Sequence, residues 1–293
     1  MMRTGCMAQP QTTENSIMTN AYHVCAATPA GTVNHICRCS RGRYGPMLPA
    51  MALVAVFMSF AGYAENNTER GRSVFERYKD TVVTVRAVIG TSFGDSEREM
   101  EQEGNATLLD ADGLAVLALS AIDPMQLASV YRSATDGMTT RIISLRVILA
   151  DGSEKPAEVV LRDKDLDIAF IRLTETPATP LPYVPLDTIG RPQVLDEVVC
   201  IMQYGQIARR AHAAFIDRIE MIVERPRLFY AMGEHRDRQL VCSPVFTLDG
   251  EFVGVGVMRL LSGSTDNEPG DMLVVVVPAE QLQTLLEQVP PRE

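Results

Sequence analysis

The chain has 293 residues, 46% hydrophobic and 22% charged, with 20 glycines and 17 prolines. This is ordinary globular composition, and it excludes collagen-like and low-complexity architectures. A formal net charge of −10 argues against a nucleic-acid surface, which needs a basic patch to meet phosphates.

The front of the chain is set apart. Residues 1–46 hold Cys6, Cys25, Cys37 and Cys39 together with His23 and His35. These could supply enough metal ligands, but their spacing matches no common zinc module, so no metal and no cofactor are expected. The stretch reads as an unstructured leader, or as a mis-assigned start with the true one at Met47. Residues 47–64 carry the apolar run MLPAMALVAVFMSFA, preceded by Arg41 and Arg43 and closed by Gly62, Tyr63 and Ala64. A basic flank, a short apolar core and small residues at a cut site describe a signal peptide. The run is short for a membrane span, which needs about 20 apolar residues, so a retained anchor is the second reading. An exported protein, periplasmic or extracellular, is expected.

Beyond it, residues 68–79 read as a short helix with Val74, Phe75 and Tyr78 on one side. TVVTVRAVI (81–89) is β-branched and strand-like. The polar stretch from Gly90 to Gly104 reads as a surface loop. Two strands then flank Asp112-Gly113, a hairpin signal because the turn wants positive φ and glycine supplies it without a Cβ clash. Residues 124–140 read as a mixed loop. LRVILADGSEKPAEVVLRDKDLDIAFIRL (145–173) repeats the hairpin at Asp151-Gly152, and Asp167 stands at the mouth of its last strand.

Pro177, Pro180, Pro182 and Pro185 mark an extended connector, since proline cannot donate to a ladder. It divides a half spanning 65–180, the helix and first barrel, from one spanning 181–293. The second half reads as strands at 194–203, 213–223, 228–232, 240–258 (with a third turn at Asp249-Gly250) and 272–277. A helix closes it from Pro278 to Val289, with Leu282, Leu285, Leu286 and Val289 at helical spacing. Many short strands with regular turns point to an all-β chain of two antiparallel barrels in tandem. Of the cysteines here, Cys200 and Cys242 could form a disulfide in an exported compartment or stay as two buried thiols.

The motifs of 75–289 resemble the Deg/HtrA branch of the trypsin-like serine proteases. FERYKDTVVTV (75–85), GNATLLDADGLAVLALSAID (104–123), LDEVVCIMQY (195–204), VCSPVFTLDGEFVGVGV (241–257) and LVVVVPAEQLQTLL (273–286) carry the likeness. The resemblance implies two six-stranded Greek-key barrels and a Ser-His-Asp triad whose acid aligns with Asp167. The other two members are missing. Ser120 falls at the histidine position, Val241 at the nucleophile position, and Gln239 replaces a glycine of the oxyanion hole. A serine is a weak nucleophile until an imidazole takes its proton, and valine has no lone pair to offer.

No catalytic residue is therefore expected. Ser120 could instead donate to Asp167 in place of the imidazole. Rescue would have to come from Cys242 or Ser243 with His235 or His212 as base. The expected protein is a catalytically inactive protease homologue that binds an extended peptide or protein partner. One alternative is an active serine- or cysteine-type endopeptidase with non-standard residues, and another is a structural envelope protein.

Overall fold

The computed structural model describes residues 66–93, 96–125, 138–233, 240–260 and 272–292. The leader, the apolar run 47–64 and most of the 124–140 loop lie outside the described residues, as does His235.

Twelve strands close into two barrels. The first contains β1 (Val82–Phe93), β2 (Ser96–Leu108), β3 (Leu114–Ala118), β4 (Met138–Ile148), β5 (Glu154–Asp163) and β6 (Ile168–Leu173). The second contains β7 (Glu197–Gln203), β8 (His212–Val223), β9 (Phe229–Met232), β10 (Pro244–Thr247), β11 (Phe252–Leu260) and β12 (Met272–Pro278). Around the first barrel the order is β1-β2-β3-β6-β5-β4, and around the second β7-β8-β9-β12-β11-β10, which is the same path. The duplication is one of topology. Closure removes most of the open edges that so many valine-rich strands would otherwise present.

One expectation is corrected. Gly90 to Gly104 is no loop: β1 and β2 pair without a break from Val82↔Thr107 to Phe93↔Ser96. Glu97, Glu99, Glu101 and Glu103 alternate with the residues between them, so the polar run has the period of a strand with a charged face. Arg86 on β1 and Arg141 on β4 neutralise part of that face, through Glu101, Glu103 and Glu97.

The first helix, α1 (66–78), precedes the first barrel in sequence but packs on the second. Tyr78 stacks on Phe246 with ring centroids 4.3 Å apart, and its hydroxyl donates to the Gly250 carbonyl at 3.1 Å. The closing helix, α2 (Ala279–Leu286), starts at Pro278, whose missing N–H is harmless there, and buries Ala279, Leu282 and Leu285. After it, Arg292 returns to the first barrel and donates to the carbonyls of Asp112 and Leu173. The connector bonds first to Ala111 and Leu108, through the amides of Leu181 and Val184, and then to Phe252 through Gly190. A single apolar cluster includes Val85, Phe170, Val199, Phe246 and Leu282, so both barrels share one core. A second, smaller cluster fills the interior of the second barrel around Val198, Cys200 and Val276.

Candidate functional site

The site is built from three turns, two on the first barrel and one on the second. On the first, β3 ends in a 3-10 turn, Leu119–Ala121, that carries Ser120. It faces Asp167, which ends the tight turn between β5 and β6 in a left-handed backbone conformation, φ 57°. Aspartate tolerates that region better than most residues. The two turns are tied at three points. Leu119 N–H donates to the Asp167 carbonyl at 3.0 Å, Ser120 N–H to Oδ1 at 2.7 Å, and Ser120 Oγ–H to Oδ2 at 2.8 Å. The serine hydroxyl thus donates to the carboxylate, the bond expected of this pair from the sequence.

Asp167 is buried, 3% exposed. Burial pushes its carboxyl up to about 6, while the Ser120 hydroxyl and amide and the charge of Arg259 oppose the rise. Arg259, at the end of β11, is itself held below the ordinary guanidinium range by burial, against the pull of Asp167, Asp163 and Asp165. It donates to the Asp165 carbonyl and stacks over Phe229. Sequence reasoning missed this arginine. Its signal is a lone charge closing an apolar strand, VGVGVMRL.

On the second barrel, the turn before β10 carries Val241, Cys242 and Ser243. Val241, half-buried, packs against both apolar clusters. Cys242 adopts φ 70°, a left-handed conformation that favours glycine. Its N–H donates to Gly256 O at 2.8 Å, and its sulfur accepts the Ala118 N–H at 3.0 Å. Burial pushes the thiol up to about 12; the Ala118 bond opposes this and the Asp167 charge adds to it. A thiol so held is a poor source of thiolate near neutral pH. Cys200 is also a buried free thiol, 3.5 Å from Met232 Sδ, so the disulfide does not form.

His212 is the only histidine among the described residues. Its Nε2 lies 3.2 Å from Gln203 Nε2 and 3.2 Å from the Val82 carbonyl, and Gln203 in turn accepts from Thr84. The ring is committed to a bridge between the barrels. Cys242 takes its sulfur contact from the Ala118 amide instead. Ser243, the other candidate hydroxyl, is fully buried, with its amide bonded to the Leu240 carbonyl. Among the described residues no group of histidine, cysteine and carboxylate side chains could hold a metal ion.

Between the turns runs a cleft. One recess, about 240 Å³, is lined by Gln102, Ser120, Ala121, Cys242 and Met258. The other, about 260 Å³, is lined by Thr84, Asn105, Gln203, Tyr204 and Gly205. Glu103, Gly104 and Val241 line both, so they sit where the recesses meet. Among the described residues that line this cleft, Val241 carries only a hydrocarbon side chain and the Cys242 thiol is buried and held protonated.

Two equivalent Greek-key barrels, joined by an extended connector and with a carboxylate-bearing turn at their junction, define the double-barrel architecture of trypsin-like peptidases. The family model of the trypsin-like peptidase domain matches residues 4–255, and the chain belongs to that family. No curated protein sequence matches it.

Proposed function

We propose that this trypsin-like domain has given up peptide-bond cleavage and acts by binding an extended peptide or protein segment in the cleft between its barrels. The observation that carries the reading is the Ser120–Asp167 pair. Both carboxylate oxygens are taken by one serine, in the place where an active enzyme holds its general base. Val241 opposite supports it, since a side chain without a lone pair cannot attack a carbonyl.

Binding is supported by the edge of β11. β10 pairs with it only as far as Val255, and Gly256 bonds to the Cys242–Ser243 turn. Beyond Gly256, β11 is paired among the described residues on one side, by β12, and Met258 lines the cleft. A strand edge beside a cleft is suited to β-augmentation by an extended chain. The finer likeness to the Deg/HtrA branch rests on the motifs quoted above. Export is part of the same proposal and rests on residues 41–64.

The test is incubation of the purified protein with casein and with fluorogenic peptides, alongside labelling by a serine-directed fluorophosphonate. No turnover and no label are expected, together with saturable binding of a subset of a random peptide library. Hydrolysis abolished by Cys242→Ala, or labelling at Ser243, would establish the non-standard peptidase instead. Absence of both binding and hydrolysis would favour a structural envelope role.

A further inference from the structure

The carboxylate at the middle of the cleft is already occupied. Glu103 of the first barrel receives Arg210 of the second, Nη2 to Oε1 at 2.8 Å and Nη1 to Oε2 at 3.1 Å. This is a two-point fork, the geometry by which guanidinium groups recognise carboxylates. From its own barrel Glu103 also receives Arg86, at 3.0 and 3.2 Å. Arg86 is in turn shared with Glu101 and Glu154. Glu103 is therefore held from below by a rigid strand partner and from across the cleft by a hairpin tip.

The hairpin tip differs from the strand partner. Arg210 lies in the β7–β8 connection, where Arg209 and Arg210 both adopt left-handed backbone, φ 54° and 55°. Neither is a glycine, so both conformations are strained. The tip also exposes Ile207 completely. The groups facing Glu103 are thus a fixed arginine, Arg86, and one on a strained, solvent-facing turn, Arg210. Of these two contacts, the second is the one a competitor could replace.

We propose that Arg210 is a built-in occupant of the cleft, and that the ligand is an extended peptide whose own arginine displaces it from Glu103. A chain lying along the two recesses must pass Glu103, because that residue lines both. A guanidinium on the ligand can reproduce the charged two-point fork, whereas glutamine brings an uncharged donor without the fork and an aliphatic side chain brings none. The hairpin acts as a latch: closed on Arg210 in the free protein, open when a ligand arginine takes its place. This inference rests on the peptide-binding reading above.

The experiment compares the full chain with its Arg210→Gln and Glu103→Gln variants. Fluorescence anisotropy is measured with two random decapeptide libraries, one with a central arginine and one with glutamine there. The wild type should prefer the arginine library, and Arg210→Gln should bind it about tenfold more tightly, since the internal competitor is gone. Glu103→Gln should lose the preference. Hydrogen–deuterium exchange across 203–212 provides a second readout that needs no ligand, and both variants should exchange faster there than the wild type. Peptide binding without arginine preference, or exchange unchanged by Arg210→Gln, overturns the latch and leaves peptide binding standing. Binding of neither library by any of the three proteins overturns the peptide-binding reading and this inference with it.

Discussion

Asp167 is a carboxylate kept where its charge is expensive. Its folded-state value of about 6 lies above the ordinary 3.8, so between those pH values the folded chain binds more protons than the unfolded one. Stability from this group is fully present below pH 3.8 and is lost as pH rises through about 6. The loss is on the order of 3 kcal/mol. Asp167→Asn removes the titration while suiting the backbone, because asparagine also tolerates positive φ. Its carbonyl can accept the Ser120 N–H, and its amide can donate to the Ser120 hydroxyl, reversing that bond. The variant should match the wild type near pH 4 and exceed it in melting temperature above pH 7. Thermal melts of both proteins from pH 4 to 8 check this, and parallel curves would show that Asp167 does not titrate in that range. The same pair shows what one sequence can and cannot disclose. Ser120 and Asp167 were legible as partners because each falls at a motif position. Arg259 and Ala118, which complete their surroundings, were not, since backbone amides and long-range charges leave no spacing pattern.

Among the elements, the hairpin turns were the most legible, because their chemistry is local. Asp112-Gly113, Asp151-Gly152 and Asp249-Gly250 all form turns with the glycine at positive φ, 91°, 80° and 83°. Yet they are not equivalent. A Cβ at Gly113 would lie 2.5 Å from Leu173 Cδ1, whereas at Gly152 nothing lies within 4 Å. Alanine at Gly152 meets only the left-handed backbone penalty, about 1–2 kcal/mol. Alanine at Gly113 meets that penalty and must also push Leu173, a buried residue whose N–H donates to the Gly113 carbonyl. Overpacking of this kind adds about 1–3 kcal/mol. Urea titrations of Gly113→Ala and Gly152→Ala should separate the two, and equal midpoints would mean that the core at Leu173 yields freely. The β1–β2 hairpin reads less plainly. The sequence does hold a pair suited to a two-residue hairpin, Gly94-Asp95, but it sits inside a charged run that has the composition of a surface loop. The two-residue period of the glutamates is the other mark of the strand, and it becomes informative once a partner strand supplies Arg86 opposite Glu103.

At the scale of the whole molecule, each barrel closes with its own six strands, but the segments that flank them cross to the other barrel. α1 enters ahead of the first barrel and packs on the second, through Tyr78 against Phe246 and Gly250. The tail leaves the second barrel and ends on the first, where Arg292 caps the Asp112 and Leu173 carbonyls. Two tandem barrels could be inferred from strand count and the proline connector, but this crossing could not. It depends on contacts between residues more than a hundred positions apart, for which a single sequence gives no local sign. The shared apolar cluster has an energetic consequence: loss of packing at one barrel is felt at the other. Tyr78→Ala removes a stacked ring and a buried hydrogen bond on the second barrel, and large-to-small changes of this kind cost about 3–5 kcal/mol. If the barrels fold as one cooperative unit, that loss should appear equally in both. Hydrogen–deuterium exchange of Tyr78→Ala should therefore show protection falling together in β3 and β6 of the first barrel and in β10 and β11 of the second. A fall confined to β10 and β11 would show that the barrels unfold separately, and that the crossed termini hold two independent bodies together without coupling their cores.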